Sequence, residues 1–303
     1  LKTDIRSLLD LEKNEFHTLF DLAFELKQDH HKGIRKPVLA GKSLGLVFEK
    51  PSTRTRLSLE AATLQLGGTP IFISTKDTQM TRNEPVRDTA RVLSSYLDAL
   101  AIRTFSQQLL EEFAEYCSIP VINALTDTYH PCQVLSDLMT VIEKKGGYDG
   151  IKVVWVGDGN NVAQSWINAS AVLGFDLVLA CPEAYHPDAN ILKAAREKNP
   201  AITVVTDPEK AVAGADVIYT DVWASMGQEE ETQERLKIFS SYQVNQELVS
   251  QATPDVIVMH CLPAHRGEEI TDQVLEGSSS VVWDQSENKL HMHKAILKWL
   301  MTH

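Results

Sequence analysis

The run LGLVFEKPSTRTRLSLEAATLQLGG, residues 44–68, passes from an apolar strand-like segment (44–48) through a polar junction into a segment of helical spacing. Ser52, Thr53 and Thr55 stand at that junction with Arg54 and Arg56. Hydroxyls, guanidinium groups and backbone amides at a strand-to-helix turn are the parts of an anion site. An ordinary helix start, with a capping hydroxyl and solvated arginines, uses the same residues. The rest of the chain decides between the two.

The same alternation recurs along the sequence. Strands are expected at 44–48, 70–74, 99–103 and 120–124. After a helix at 131–145, ended by Gly146-Gly147, they resume at 151–156, 176–181, 202–206, 215–220, 255–260 and 280–283. Intervening segments such as 86–97 and 161–173 carry helical spacing. This pattern predicts an α/β fold of parallel sheets covered by helices on both faces. The break at the paired glycines divides it into two open parallel-sheet α/β domains, residues 1–146 and 147–286. The closing segment, 287–303, is expected to be a helix packed back on the first domain.

Open α/β sheets bind ligands beyond the carboxyl ends of their strands. The chemically unusual segments all fall there: PSTRT (51–55), Arg103, HPCQ (130–133), GDGNN (157–161), DVWASMG (221–227) and HCLPAHRG (260–267). Their gathering on strand ends favours the anion site at residues 52–55. It also predicts an active site in the cleft between the domains.

Composition narrows the class. The chain has 303 residues, 43% hydrophobic and 23% charged, values of a globular protein long enough for two cores. No apolar run approaches the ~18 residues of a membrane span. A net charge of −12 argues against nucleic acid or an anionic membrane as partner. The four cysteines show no C-x-x-C spacing and the opening residues have no signal-peptide pattern, so a reducing, cytoplasmic location is expected.

Taken singly, the motifs are ambiguous. STRTR lacks the glycines of a P-loop, yet it suits a phosphoryl group bound by helix amides, hydroxyls and a forked arginine. Each charge-assisted hydrogen bond there contributes ~1.5–3 kcal/mol. GDGNN begins like a dinucleotide fingerprint, but Val162 replaces its third glycine, which makes a dehydrogenase the weaker reading. A tight β-α turn and a polar substrate contact from Asn161 both stay open. His130 is either a loop histidine or a neutral donor to a carbonyl. Cys261, flanked by His260 and Pro263, is a better functional candidate than Cys117 or Cys181. His291 and His293, two apart on an expected helix, do not share a face, so no metal site is expected from them.

Together FEKPSTRTR, HPCQ, WVGDGNN, DVWASMGQEE and MHCLPAHRGEEI resemble the aspartate/ornithine carbamoyltransferase family, most of all its ornithine-specific branch. The resemblance runs in the right order over essentially the whole chain. It implies transfer of the carbamoyl group from carbamoyl phosphate to the side-chain amine of L-ornithine, giving L-citrulline and phosphate, with no metal and no organic cofactor. It implies that Ser52, Thr53, Arg54 and Thr55 hold phosphate and that Arg103 reaches phosphate and carbonyl oxygen. His130 and Gln133 would address the carbamoyl group, whose amide hydrogens go to the carbonyls of Cys261 and Leu262. Asn161, Asp221, Ser225 and Met226 would hold ornithine, and Cys261 would bear on the ionisation of its amine. Gln79 would serve a neighbouring subunit's carbamoyl phosphate site, in a homotrimer or an assembly of trimers. One position departs from the family pattern: Lys289 stands where arginine is common, which keeps the charge at a phosphate contact but loses the fork.

Putrescine, aspartate or an N-acylornithine are alternative acceptors. Against aspartate stand the cysteine of HCLP and the carboxylate of Asp221, which suits a cationic amino group. A non-catalytic carbamoyl phosphate-binding subunit is the alternative of a different class, and the intact Arg54, Arg103, His130 and Cys261 speak against it.

Overall fold

A computed structural model describes residues 2–74, 84–224 and 232–302. In chain order, the elements up to the paired glycines are α1 (Lys13–His31), β1 (Ser43–Phe48), α2 (Arg54–Gln65), β2 (Thr69–Ser74), α3 (Val86–Tyr96), β3 (Ala99–Arg103), α4 (Gln107–Tyr116), β4 (Val121–Leu125) and α5 (Pro131–Lys145). There follow β5 (Lys152–Val156), α6 (Asn161–Leu173), β6 (Asp176–Ala180), α7 (Ala189–Lys198), β7 (Ile202–Val205), α8 (Pro208–Val212) and β8 (Val217–Thr220). The chain closes with α9 (Thr232–Phe239), α10 (Gln246–Ser250), β9 (Ile257–His260), α11 (Asp272–Leu275) and α12 (Val282–Met301).

The chain divides into two compact units, Leu1–Met139 with Glu287–His303, and Thr140–Ser286. The first holds a four-stranded sheet in the order β2-β1-β3-β4, the second a five-stranded sheet in the order β7-β6-β5-β8-β9. Every strand pair is parallel. Each sheet turns back once on its own order. The reversal lies between β1 and β3 in the first unit and between β5 and β8 in the second. Those crevices, at the carboxyl ends of the flanking strands, are where such sheets take ligands.

Local chemistry explains the elements. In β1 five of six residues are buried, as a central parallel strand requires. The Asn160 side chain caps α6 by accepting from the amides of Val162 and Ala163, and Gly174, at φ 87°, ends that helix in the left-handed conformation. Under α6, Trp166 meets Phe175 and Tyr219 edge-on (5.8 and 5.6 Å), and Trp155 stacks on Tyr219 at 5.2 Å. In the first unit Val47, Leu100, Ile102, Phe113 and Val121 form the corresponding core. Among the described residues no helix is long and apolar enough to cross a membrane.

One expected strand is absent. Residues 280–283 contribute a single bridge, Ser280 to Val258, and α12 begins at once at Val282. The pair of β-branched valines suggests a strand, but the Val281 carbonyl accepts from the Gln285 amide (2.9 Å), which turns the chain into the helix. The second sheet therefore has five strands, not six, and the closing helix starts five residues earlier than expected.

Trp166 is fully buried against two aromatic neighbours. Trp166→Ala is expected to lower unfolding free energy by about 3–5 kcal/mol, read from urea denaturation.

Candidate active site

In the first unit, the parallel register sets Phe48, the last residue of β1, beside Arg103, the last of β3. The Glu49 amide continues the ladder to the Arg103 carbonyl (2.8 Å), after which Pro51 leads the chain toward α2. Thr53 stands at the N-cap of α2 and its side chain makes no capping bond. Arg54 opens the helix half-buried, with Ser52 half-buried, Thr53 exposed and Thr55 buried around it. Arg56 is turned to another task. It pairs with Glu60 (2.8 Å) and lies 3.5 Å over the Phe72 ring. The junction thus offers the positive end of a helix and one guanidinium, with a second buried guanidinium from Arg103 on the neighbouring strand.

His130 is buried at the entry to α5, its carbonyl accepting from the amide of Gln133 (3.2 Å). One turn on, the Gln133 side chain is fixed in one sense: its carbonyl accepts from Lys289 Nζ (2.7 Å) and its amide donates to Asp137 (2.8 Å). The opposite orientation is excluded, because an ammonium only donates and a carboxylate only accepts. Behind α2, the Ser58 hydroxyl donates to the Thr55 carbonyl (3.1 Å) and meets His293 Nδ1 at 2.9 Å, so Nδ1 is the protonated donor. Burial, reinforced by the Lys289 charge, holds both His130 and His293 well below the ordinary histidine range. His130 is therefore a neutral imidazole at pH 7, fit to donate a hydrogen bond without carrying charge.

In the second unit the constellation gathers on Asp221, directly after β8. Its Oδ1 accepts from the Val222 amide (2.9 Å) and from the Cys261 thiol (3.0 Å), and its Oδ2 from Asn160 Nδ2 (2.9 Å). A thiol that donates to a carboxylate keeps its proton on sulfur. Asn161 is the first residue of α6, half-buried beside that cap.

After β9 the backbone itself is unusual. Leu262 adopts φ 58°, a left-handed conformation that costs a branched residue about 1–3 kcal/mol. Its amide donates to His260 Nδ1 (2.9 Å), which leaves the proton on Nε2, facing the buried Glu269 carboxylate at 3.0 Å. Glu269 also accepts from the His265 amide (2.6 Å). This buried network holds the turn that sets the carbonyls of Cys261 and Leu262. Donor atoms of Asp221, His260 and Cys261 lie close enough together for a metal. Both nitrogens of His260 are already committed, so a cation there would have to break the turn.

The glycine turn GDGNN serves packing. A Cβ on Gly159 would come within 2.3 Å of the Pro187 nitrogen, and the Gly159 amide donates to the Tyr185 carbonyl (2.9 Å). Asp158 is paired with the buried Arg235. The dehydrogenase reading gains nothing from this geometry.

Gln79, Ser225 and Met226 lie outside the described residues. The geometry adds residues to which sequence reasoning gave no role in the site: Asn160, Asp137, Glu269 and His293. Asn160 had a signal, since asparagine directly before a helix is an N-cap. The others are recognised only through partners distant in sequence.

Residues 3–143 match the family described as Aspartate/ornithine carbamoyltransferase, carbamoyl-P binding domain. Residues 149–300 match Aspartate/ornithine carbamoyltransferase, Asp/Orn binding domain. The chain is 59% identical over 295 residues to the ornithine carbamoyltransferase of Desulfotalea psychrophila, covering 97% of each chain. It is 54% identical over 302 residues to that of Syntrophus aciditrophicus, covering 99% of this chain and all of the relative. Among solved structures, ornithine carbamoyltransferase from Pyrococcus furiosus superposes with a TM-score of 0.96 at 49% identity, over 99% of this chain and 97% of the other.

Two of the buried histidines, His130 and His293, make stability depend on pH. Unfolded histidine titrates near pH 6.5, whereas His130 and His293 stay neutral in the fold well below that. Below about pH 6.5 the unfolded chain binds more protons, so stability is full above that pH and falls as pH drops through it. His293→Gln is expected to reduce the pH slope of the unfolding free energy between pH 6 and 5 by about one proton, or ~1.4 kcal/mol per pH unit. Urea titrations at the two pH values measure it.

Proposed function

The chain belongs to the aspartate/ornithine carbamoyltransferase family and carries the carbamoyl group of carbamoyl phosphate to L-ornithine, and on that premise we propose how its residues do so. Ser52, Thr53, Arg54, Thr55 and the first amides of α2 hold the phosphate. Arg103 bridges from phosphate to the carbonyl oxygen, on which negative charge develops when the side-chain amine attacks. Neutral His130 donates to the same oxygen, so charge is met there by preorganised donors. Lys289 acts through Gln133, fixing its amide beside the carbamoyl group and adding positive charge behind the phosphate. The carbonyls of Cys261 and Leu262 receive the carbamoyl amide hydrogens.

Asp221 anchors the amino acid through its cationic α-amino group, with Asn161, Ser225 and Met226 contributing further contacts. As the new C–N bond forms, the C–O bond to phosphate breaks and the phosphate leaves with its electron pair, stabilised by Arg54 and the helix amides. The amine must shed a proton. Because the Cys261 thiol already holds one shared with Asp221, we assign the departing phosphate as the final acceptor and Cys261 as the group that orients the amine. The chemistry needs no metal and no organic cofactor.

The observation that carries the choice of acceptor is the buried Asp221 carboxylate with its three donors. It is an anionic anchor, suited to a diamino acid and unsuited to a dicarboxylate such as aspartate.

The first unit's surface supports an assembly of copies. Leu57 and Leu64 on α2, Ile71 and Phe72 on the edge strand β2, and Val92 and Tyr96 on α3 are all exposed. We assign this apolar face to contact between copies in a homotrimer or an assembly of trimers, with Gln79 lent to a neighbour. A cytoplasmic location suits cysteines that form no disulfide among the described residues.

The wild-type chain should form citrulline from carbamoyl phosphate and ornithine, with putrescine and aspartate far poorer acceptors; equal rates with all three would overturn the acceptor assignment. Arg54→Ala should lower kcat/KM by about 10²–10³-fold. Asp221→Asn should raise the KM for ornithine by about tenfold or more with little change for carbamoyl phosphate, and the reverse pattern would remove Asp221 from the amino-acid site. Sedimentation should give trimers or their multiples, and Leu64→Glu should shift the distribution toward monomer.

A further inference from the structure

A cluster of histidines includes none of the residues assigned to the site above. His30 and His31 end α1, and Glu287 and His291 stand four apart on one face of α12. His31 Nε2 meets Glu287 Oε1 at 2.7 Å, and His291 Nε2 lies 3.6 Å from the same oxygen. The ring of His30 is 5.3 Å from that of His291, edge to face. His291 is fully buried, yet neither of its ring nitrogens has a hydrogen-bond partner. Buried polar atoms are seldom left so, because the desolvation they suffer goes uncompensated.

We propose that His31, Glu287 and His291 bind a divalent transition-metal cation of the zinc class, clipping the end of α1 to α12. Donor atoms of the three residues all lie within 4.8 Å of one another. A tetrahedral ion with bonds near 2.0–2.1 Å sets its ligand atoms about 3.3 Å apart, so small side-chain rotations close the site. Two imidazoles and one carboxylate select zinc, nickel, cobalt or copper over magnesium and calcium. Buried His291 forms the floor, while the side chains of His31 and Glu287, 56% and 42% exposed, leave a route for entry. His30 or a water completes the shell.

The surrounding charges are mixed. Burial pushes His291 down to about 4 and also lowers His30, so both rings are unprotonated at pH 7 and protons do not compete for them. Lys294 bears on His30 and His291, Arg35 on His30, and Lys27 on Glu287. These cations weaken the attraction for a divalent ion, which places the expected affinity in the micromolar range rather than that of a structural zinc site.

The test uses the full chain carrying Cys261→Ser, so that the one cysteine that is not buried does not contribute. Equilibrium dialysis against Zn²⁺ at pH 7.5 should show one ion per chain at micromolar concentration, and Zn²⁺ should raise the unfolding temperature. Co²⁺ should give the visible absorption of a four-coordinate site. His31→Ala, at an exposed position that leaves the core untouched, should weaken Zn²⁺ binding by about tenfold or more and cancel the thermal shift. Glu287→Gln should do the same. No binding below 100-fold above that micromolar range, or affinity unchanged in His31→Ala, would overturn the proposal.

Discussion

Parallel pairing is the constraint from which the rest of this structure follows. Strands that run the same way cannot be joined by hairpins, so each must be followed by a crossover, and all their carboxyl ends are delivered to one edge. Each sheet here reverses its order once, so two adjacent crossovers depart to opposite faces and leave a crevice between them. In the first unit that crevice is bordered by the β1–α2 junction and by Arg103; in the second, by the β5–α6 turn and Asp221. The chemistry sits where the topology leaves backbone without a neighbour.

What occupies those crevices is charge held in place by burial. In the first unit Lys289, Gln133 and Asp137 form a chain in which the amide can point only one way. The nearby histidines are kept neutral by the same burial and the same lysine. A charged imidazole at His130 would add repulsion to the Arg103 guanidinium and the Lys289 ammonium that act on it. A neutral one adds a donor without adding charge. In the second unit the unfavourable φ of Leu262 is offset by a buried acceptor, His260 Nδ1, whose tautomer is fixed in turn by Glu269.

The sequence was most informative where a decision is local. Hydrophobic runs bounded by turn residues located all nine strands of the described residues to within about two positions. The error at residues 280–283 is also local in origin. Two valines support a strand or a buried helix start equally well, and the tie is broken by a hydrogen bond to Gln285. Strand-end placement brought out PSTRT, Arg103, His130, Asp221 and Cys261. It could not show that Lys289 reaches Gln133, 156 positions away, or that Asn160 reaches Asp221, because side-chain pairing across a fold leaves no period in the sequence. The spacing rule applied to His291 and His293 was sound as far as it went. Those two do point apart, one toward Ser58 and one toward α1, and the partner of His291 on its own helix is four residues back, at Glu287.

The position of Cys261 bears on how a thiol can matter in a reaction that needs no nucleophilic sulfur. Bonded to Asp221, it is held as a neutral donor, and Asp221 is at the same time polarised by Asn160 and by the Val222 amide. Three donors already occupy lone pairs of this carboxylate. On the proposed assignment it would attract the cationic amine of the amino acid. On the same assignment the attacking amine would lose its proton to the leaving phosphate, which gains basicity as the C–O bond breaks. Binding and activation of the amino acid would thus be separated between its two amines. A monoamine of similar length, lacking the group assigned to Asp221, would lose that anchor while keeping the reactive end.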